Sequence, residues 1–316
     1  SSAAIPITLN GDSASCDSSS VVIDGSTITI TAEGVYLISG TLNDGQIIVN
    51  AGDTEKVQLV LAGADITSST SAAIYALEAD KVFVTLAEGT ENTLTNGGEY
   101  IAIDDNNIDA VIFAKTDLTL NGSGSLTINA RAGHGVVSKD ELVITGGSYT
   151  ITSASHGLSG KDSIAIADGT FVITSGKDGI HAENSDDTSL GWLYIQDGNF
   201  TITAQGDAIS AVGALQIDDG TFDLYTGEGS ASVEMTNSDQ FGGGQHGGWT
   251  NQATAPDTQT TSTTQTEEDS TSQKGIKGES TYAINGGTFT IDSADDCLPA
   301  GGAMTIASGE FTLNSG

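Results

Sequence analysis

Short apolar runs alternate with polar residues along most of this chain, and glycine turns separate them. In T-F-V-I-T at 170–174, Phe171 and Ile173 point one way while Thr170, Val172 and Thr174 point the other. The same parity recurs with Phe200 and Ile202, Phe222 and Leu224, and Phe289 and Ile291. An aromatic follows the turn glycine at Tyr149, Phe171, Phe200, Phe222, Phe289 and Phe311, and three of the gaps are 22 residues (149 to 171, 200 to 222, 289 to 311). A repeat of that length, built from strand-period runs, predicts a stacked β-solenoid. Its inward face carries an aromatic and an aliphatic ladder, and its outward face a row of Thr150, Thr152, Thr201, Thr203 and Thr290. Slipping any strand by one residue would turn its apolar set into water.

Outside a departure at 227–273, the repeat accommodates about 11 to 12 coils, a rod on the order of 55 Å at the strand spacing of a sheet. The expectation is one domain over 1–316, with 1–20 as a lead-in or partial N-terminal cap. Residues 227–273 read as a low-complexity Gly/Thr/Ser-rich insertion within one coil. They hold G-G-G-Q-H-G-G-W, ending at Trp249, and cannot bury enough apolar surface to fold alone.

Charge narrows the partners. The formal net charge is -33, with 9 Lys+Arg against 42 Asp+Glu. That excludes the basic footprint of a nucleic-acid binder and disfavours anionic membranes. No apolar run is long enough for a membrane span. The Ser-Ser-Ala-Ala-Ile-Pro start resembles a processed end. With Thr- and Ser-rich composition and few lysines, it suits a secreted bacterial protein, extracellular or at the cell surface.

Seven residues after the aromatic lies a second column: His156, Asp178, Asp207 and Asp296, each followed by a small residue and an aliphatic. His134 and Lys274 fit the same pattern, and Lys139, Lys161, Glu183 and Glu279 sit five residues further on. The Asp168, Asp197 and Asp219 column precedes the turn glycine and reads as ordinary turn chemistry. Stacking makes the Asp178–Asp207 pair different, because carboxylates about 4.8 Å apart repel by roughly 3.5 kcal/mol at an effective dielectric of about 20. A cation between them would relieve this, and calcium suits a corner of carboxylates, turn carbonyls and water. Asp178, Glu183 and Asp207 are the expected ligands, with Asp295 and Asp296 as a second site. His134 and His156 read as corner residues facing solvent, and His181 as a neighbour of Glu183. No His and Cys residues show zinc spacing.

The G-G-T-F-T-I repeats, the D-G-I corners and the K-G-I-K-G after the Gly-rich insertion resemble a secreted carbohydrate-binding β-helix family. The resemblance implies an all-β, right-handed parallel β-helix that is pectate-lyase-like and binds calcium. It also implies acidic or plant-type polysaccharides as partners. His134, His156 and Lys274 depart from the family pattern, standing where acids often stand.

Three functions follow for testing. A non-catalytic, calcium-dependent polysaccharide-binding protein would use bound calcium to bridge sugar carboxylates, or stack neutral sugars on Trp192 and Trp249. A structural or adhesive fibre subunit would stack end to end into a homopolymer, since the chain stops mid-repeat at G-E-F-T-L-N-S-G. In that case Cys16 of one copy approaches Cys297 of the next and could form an intermolecular disulfide; within one copy they are too far apart. A polysaccharide lyase would need a base such as Lys161 or Lys177, whose pKa an acidic surround raises rather than lowers. Arg131 is the one arginine in the chain. The expectation is therefore binding, not catalysis.

Overall fold

The computed structural model describes residues 4–184, 186–187, 189–232 and 272–316. Each regular coil contributes three short strands, as in Ser163–Ile166, Thr170–Ser175 and Ile180–Ala182, followed by Trp192–Ile195, Asn199–Ala204 and Ile209–Ala211. In these coils each strand pairs in parallel with its counterpart one coil on, giving three stacked faces around one core. On the first face the stack runs through Ile5–Gly11, Gly34–Leu42, Lys56–Ser68, Lys81–Leu86, Asp117–Gly122, Glu141–Ile144, Ser163–Ile166, Trp192–Ile195, Leu215–Ile217, Tyr282–Ile284 and Met304–Ile306. Those eleven layers form the parallel β-helix that the repeat predicts, and right-handed crossovers are the rule for such connections.

The parity of the aromatic repeat holds. Phe171, Phe200, Phe222 and Phe289 are buried and lie directly above one another in register. Their ring centroids are 4.7–4.8 Å apart with planes within 5° of parallel, and Phe311 continues the stack at 4.8 Å. Free aromatic pairs prefer offset or edge-on packing. Here the backbone ladder sets the spacing and the rings follow it. Two turn glycines are required by this stack: at Gly169 (φ 149°) and Gly198 (φ 138°) an added Cβ would lie 2.8 and 3.0 Å from the following Phe ring. Asp168, Asp197 and Asp219 each accept the N–H of the next glycine at 2.7–2.8 Å, the turn chemistry expected of that column.

The segment read as a lead-in is already part of the stack, since Ile5–Gly11 pairs in parallel with Gly34–Leu42. Short antiparallel pairings, Ile5–Gly11 with Ala14–Ser15 and Val21–Asp24 with Thr27–Ile30, accompany the first coils. Across the departure at 227–273 the register is unbroken: Ile209 pairs with Ile276, Leu215 with Tyr282 and Phe222 with Phe289. Trp249 lies outside the described residues.

The third face changes character along the rod. Its outward column reads Tyr75, Phe113, Val137, Ser159, His181, Ser210 and Lys277. The apolar first part is covered by the excursion that carries Tyr100 and Ile108, which pack with Tyr75, Phe113 and Val137. Tyr75 Oη donates to Asp104 Oδ2 at 2.7 Å and pins that excursion. Beyond Val137 the column turns polar and lines a groove.

Candidate functional site

The groove is built on a corner that repeats a single hydrogen bond. The N–H of His156 donates to His134 Nδ1 (3.3 Å), that of Asp178 to His156 Nδ1 (3.1 Å), that of Asp207 to Asp178 Oδ1 (2.8 Å), and that of Lys274 to Asp207 Oδ1 (2.8 Å). Each column side chain thus accepts the backbone donor of the next coil. The small residue after it is dictated by close approach: a Cβ at Gly179 would lie 2.4 Å from Ile202 Cγ2 and 2.6 Å from the Ala208 carbonyl oxygen.

One strand position further along the third face, His181 joins the corner to the opposite edge. Its Nδ1 lies 2.7 Å from Asp178 Oδ2 and 3.0 Å from Ser210 Oγ, and its Nε2 lies 2.9 Å from Glu183 Oε2. Burial opposes charge on this ring, but the hydrogen bonds to Asp178 and Glu183 outweigh it and push the pKa up to about 9. Burial likewise opposes the Asp178 carboxylate, and His181 nonetheless holds it below the ordinary range. The His181 hydrogen bond also lowers Glu183, whereas burial raises Asp207. His156 behaves oppositely: burial, then the adjacent His181 charge, lowers it to about 3. Burial lowers His134 to about 4. The 3.7 Å approach of His156 Nδ1 to Asp178 Oδ2 is therefore no ion pair at neutral pH.

The three imidazoles form a stack, with centroids 5.1 Å apart from His134 to His156 and 4.3 Å from His156 to His181. This departs from the expectation that His134 and His156 face solvent. Asp178, Glu183 and Asp207 do come together, on the wall of an open groove of about 810 Å³ shared with His156, His181, Lys277 and Glu279. A smaller cleft of about 320 Å³ adjoins it and shares His156, His181 and Glu183, adding His134, Lys139 and Lys161. Among the described residues, one group has the donor set of a metal site: His156, Asp178 and His181, with ligating atoms all within 4.8 Å of one another.

The other expected positions lie apart. Asp295 is 2.5 Å from Lys274 Nζ, which holds its carboxyl low, and Asp296 is exposed. Trp192 opens the strand Trp192–Ile195 on the first face, half-buried and away from the groove. Cys16 is half-buried and Cys297 buried, and both are free thiols; Cys297 Sγ lies 3.1 Å from the Asn314 carbonyl oxygen. What the sequence reading missed is the histidine network. The signal was present in the columns, where His134 and His156 take positions that Asp takes in later coils.

These shifts predict opposite pH limbs. A depressed histidine costs stability as pH falls below its unfolded value near 6.5 toward 3–4, because the unfolded chain takes up the proton first. His181 is raised, so its contribution is complete below about 6.5 and is lost as pH rises through 9. The alkaline limb should be worth on the order of 3 kcal/mol, and the acid limb, which two depressed histidines share, roughly twice that. Urea midpoints against pH check this: His156→Gln should reduce the acid limb by about half, leaving the His134 share, and His181→Gln should flatten the alkaline one. Slopes identical to wild type would contradict the assignment.

The fold and site define a parallel β-helix that carries an open polar groove of mixed charge along one outer face. The family of carbohydrate-binding domain-containing proteins matches residues 24–316, and the chain belongs to that family. A carbohydrate-binding domain-containing protein of Acetivibrio thermocellus is 43% identical over 126 residues, 39% of this chain and 44% of that relative. The chain thus spans under half the length of this relative. The solved structure of a polysaccharide lyase-like protein from C. thermocellum, a gadolinium derivative, matches with a TM-score of 0.68 at 26% identity, covering 98% of this chain and 100% of that one. Among the described residues, no helix is long and apolar enough to cross a membrane.

Proposed function

We propose that this chain is an extracellular, non-catalytic module that binds acidic polysaccharide in the third-face groove. One observation carries the reading. The chain has 9 Lys+Arg in all, and four of them, Lys139, Lys161, Lys177 and Lys277, line the groove and its adjoining cleft. In so acidic a protein, gathering cations on one concave surface favours an anionic ligand. The groove is also polarised along the rod. At one end the cleft holds Lys139 and Lys161 with neutral His134 and His156 and one acid, Glu183; at the other the groove holds Glu183, Asp207 and Glu279 beside Lys177 and Lys277.

Sugar carboxylates would meet lysines directly at the first end. At the second, calcium would bridge them, with Glu183, Asp207 and Glu279 supplying oxygens. Asp178 Oδ1 and Asp207 Oδ1 are already engaged by backbone N–H groups. The protein oxygens fall short of the six to eight that calcium takes, and sugar and water would complete the shell. The fit is that of a shared, ligand-completed site rather than a closed cage. The gadolinium derivative of the related structure is consistent with this, since a lanthanide seeks the same oxygen donors. Elimination chemistry has less support: Lys161 pairs with Asp186 at 2.6 Å, which raises its pKa, and His181 holds its proton.

Affinity electrophoresis tests the reading. Mobility should be retarded in gels containing polygalacturonate and calcium, less so with a chelator, and little by a neutral glucan. The double variant Lys139→Glu, Lys161→Glu should weaken retardation at least about tenfold, because each site turns from attraction to repulsion. Equal retardation of wild type and double variant would overturn the proposal.

A further inference from the structure

From the His156–Asp178–His181 cluster we infer a site for a borderline first-row transition-metal ion, zinc-like rather than calcium-like. Two imidazole nitrogens and one carboxylate oxygen are a donor set that suits zinc, copper or nickel, whereas calcium selects oxygen. The distances are near those required. Zinc holds nitrogen and oxygen at about 2.0–2.2 Å, so tetrahedral donors stand about 3.3 Å apart. Asp178 Oδ2 lies 2.7 Å from His181 Nδ1 and 3.7 Å from His156 Nδ1, bracketing that separation.

The surroundings of the cluster are an independent observation. A metal-binding histidine usually gives its second ring N–H to a carboxylate, which fixes the tautomer and ring orientation. His181 coordinating through Nδ1 would do this, with Nε2 donating to Glu183 Oε2 at 2.9 Å. The Asp178 carboxylate is oriented in turn by the Asp207 N–H on Oδ1 at 2.8 Å and by Ser210 Oγ on Oδ2 at 3.2 Å. The cluster also lines the open groove, so an ion has a path in, and water or a ligand oxygen would complete its coordination.

Loading involves two local exchanges. The ion displaces the proton shared by His181 Nδ1 and Asp178 Oδ2, and that proton leaves to solvent. The two rings, stacked within 11° of parallel, must tilt so that their lone pairs converge. In doing so His156 gives up the hydrogen bond it accepts from the Asp178 N–H. The site is thus held in a proton-filled form that a metal can replace.

Isothermal titration of the chelator-stripped full chain with zinc chloride alone, then with calcium chloride alone, tests this without any polysaccharide. One strong equivalent of zinc is expected, bound at least about 100-fold more tightly than calcium. His156→Asn and His181→Asn should each weaken zinc by at least about 30-fold, and Glu183→Gln by about 10-fold or more. Cobalt substituted for zinc should give a visible absorption band that His156→Asn abolishes. If a histidine variant fails to fold by circular dichroism, Glu183→Gln at the groove rim still decides the matter. Zinc binding no tighter than calcium, or folded variants that bind zinc like wild type, would overturn the inference. It does not depend on the polysaccharide reading, which stands or falls on gel retardation.

Discussion

Phe200→Ala is expected to lower stability by about 3–5 kcal/mol, at the upper end for a buried aromatic truncation. Phe200 is 2% exposed, and its ring lies 4.8 Å from both Phe171 and Phe222. The cost of such a change depends on how far the surroundings can collapse into the space left. Here they cannot collapse far. Parallel hydrogen bonding from Asn199–Phe200 to the coils on either side holds the backbone at the strand spacing, so Phe171 and Phe222 stay about two layers apart. The loss falls on one link of a quasi-one-dimensional stack, so exchange protection should drop in the flanking coils before the rest of the rod. Thr201→Ala, on the outward side of the same strand, should change stability by less than about 0.5 kcal/mol. Urea denaturation with hydrogen exchange resolves the two. A loss below about 1 kcal/mol for Phe200→Ala would show that the ladder is not what joins adjacent coils.

Asp178→Ala should cost a similar amount, about 3–5 kcal/mol, by a different mechanism. Asp178 is buried and accepts from the Asp207 N–H, from His181 and from Ser210. Removing it orphans a buried backbone donor and leaves the His181 charge with Glu183 as its carboxylate partner. Breaking a buried pair costs more than the pair contributes, because the remaining charge stays desolvated. The His181 pKa should therefore fall from about 9 toward its ordinary value. Proton NMR titration of that ring reads the shift directly. Asp168→Ala is the contrast: its carboxylate accepts one turn N–H, at 2.7 Å, and about 1 kcal/mol is expected. If both variants cost the same, or the His181 titration does not move, the corner network is not the buried ion pair described.

Legibility followed the kind of interaction. The aromatic ladder was readable because a parallel in-register stack brings identical repeat positions together, so Phe200 and Phe222, one 22-residue repeat apart, meet by counting alone. The turn aspartates were readable because Asp168 bonds its own neighbour. The corner was harder. Stacked carboxylates at Asp178 and Asp207 suggested repulsion needing a cation, yet in the fold the Oδ1 of each accepts the N–H of the next coil. A backbone donor cannot be seen in a residue string.

The sequence alone determined the strand parity, the inward aromatics, the glycine turns and the resumption of register after the insertion, since each depends on a period of two or on a repeat of fixed length. Only the tertiary structure decided what the polar columns do. It laid His181 between Asp178 of its own coil and Ser210 of the next, and so made it a cation while its stacked neighbour His156 stays neutral. It also brought Lys177 and Lys277 onto the groove and Lys139 and Lys161 onto its adjoining cleft, although they are scattered among many acids in the chain. Periodicity says which way a side chain points. Protonation and ligand choice depend on burial and on charges a few ångströms away, and those distances exist only once the coils are stacked.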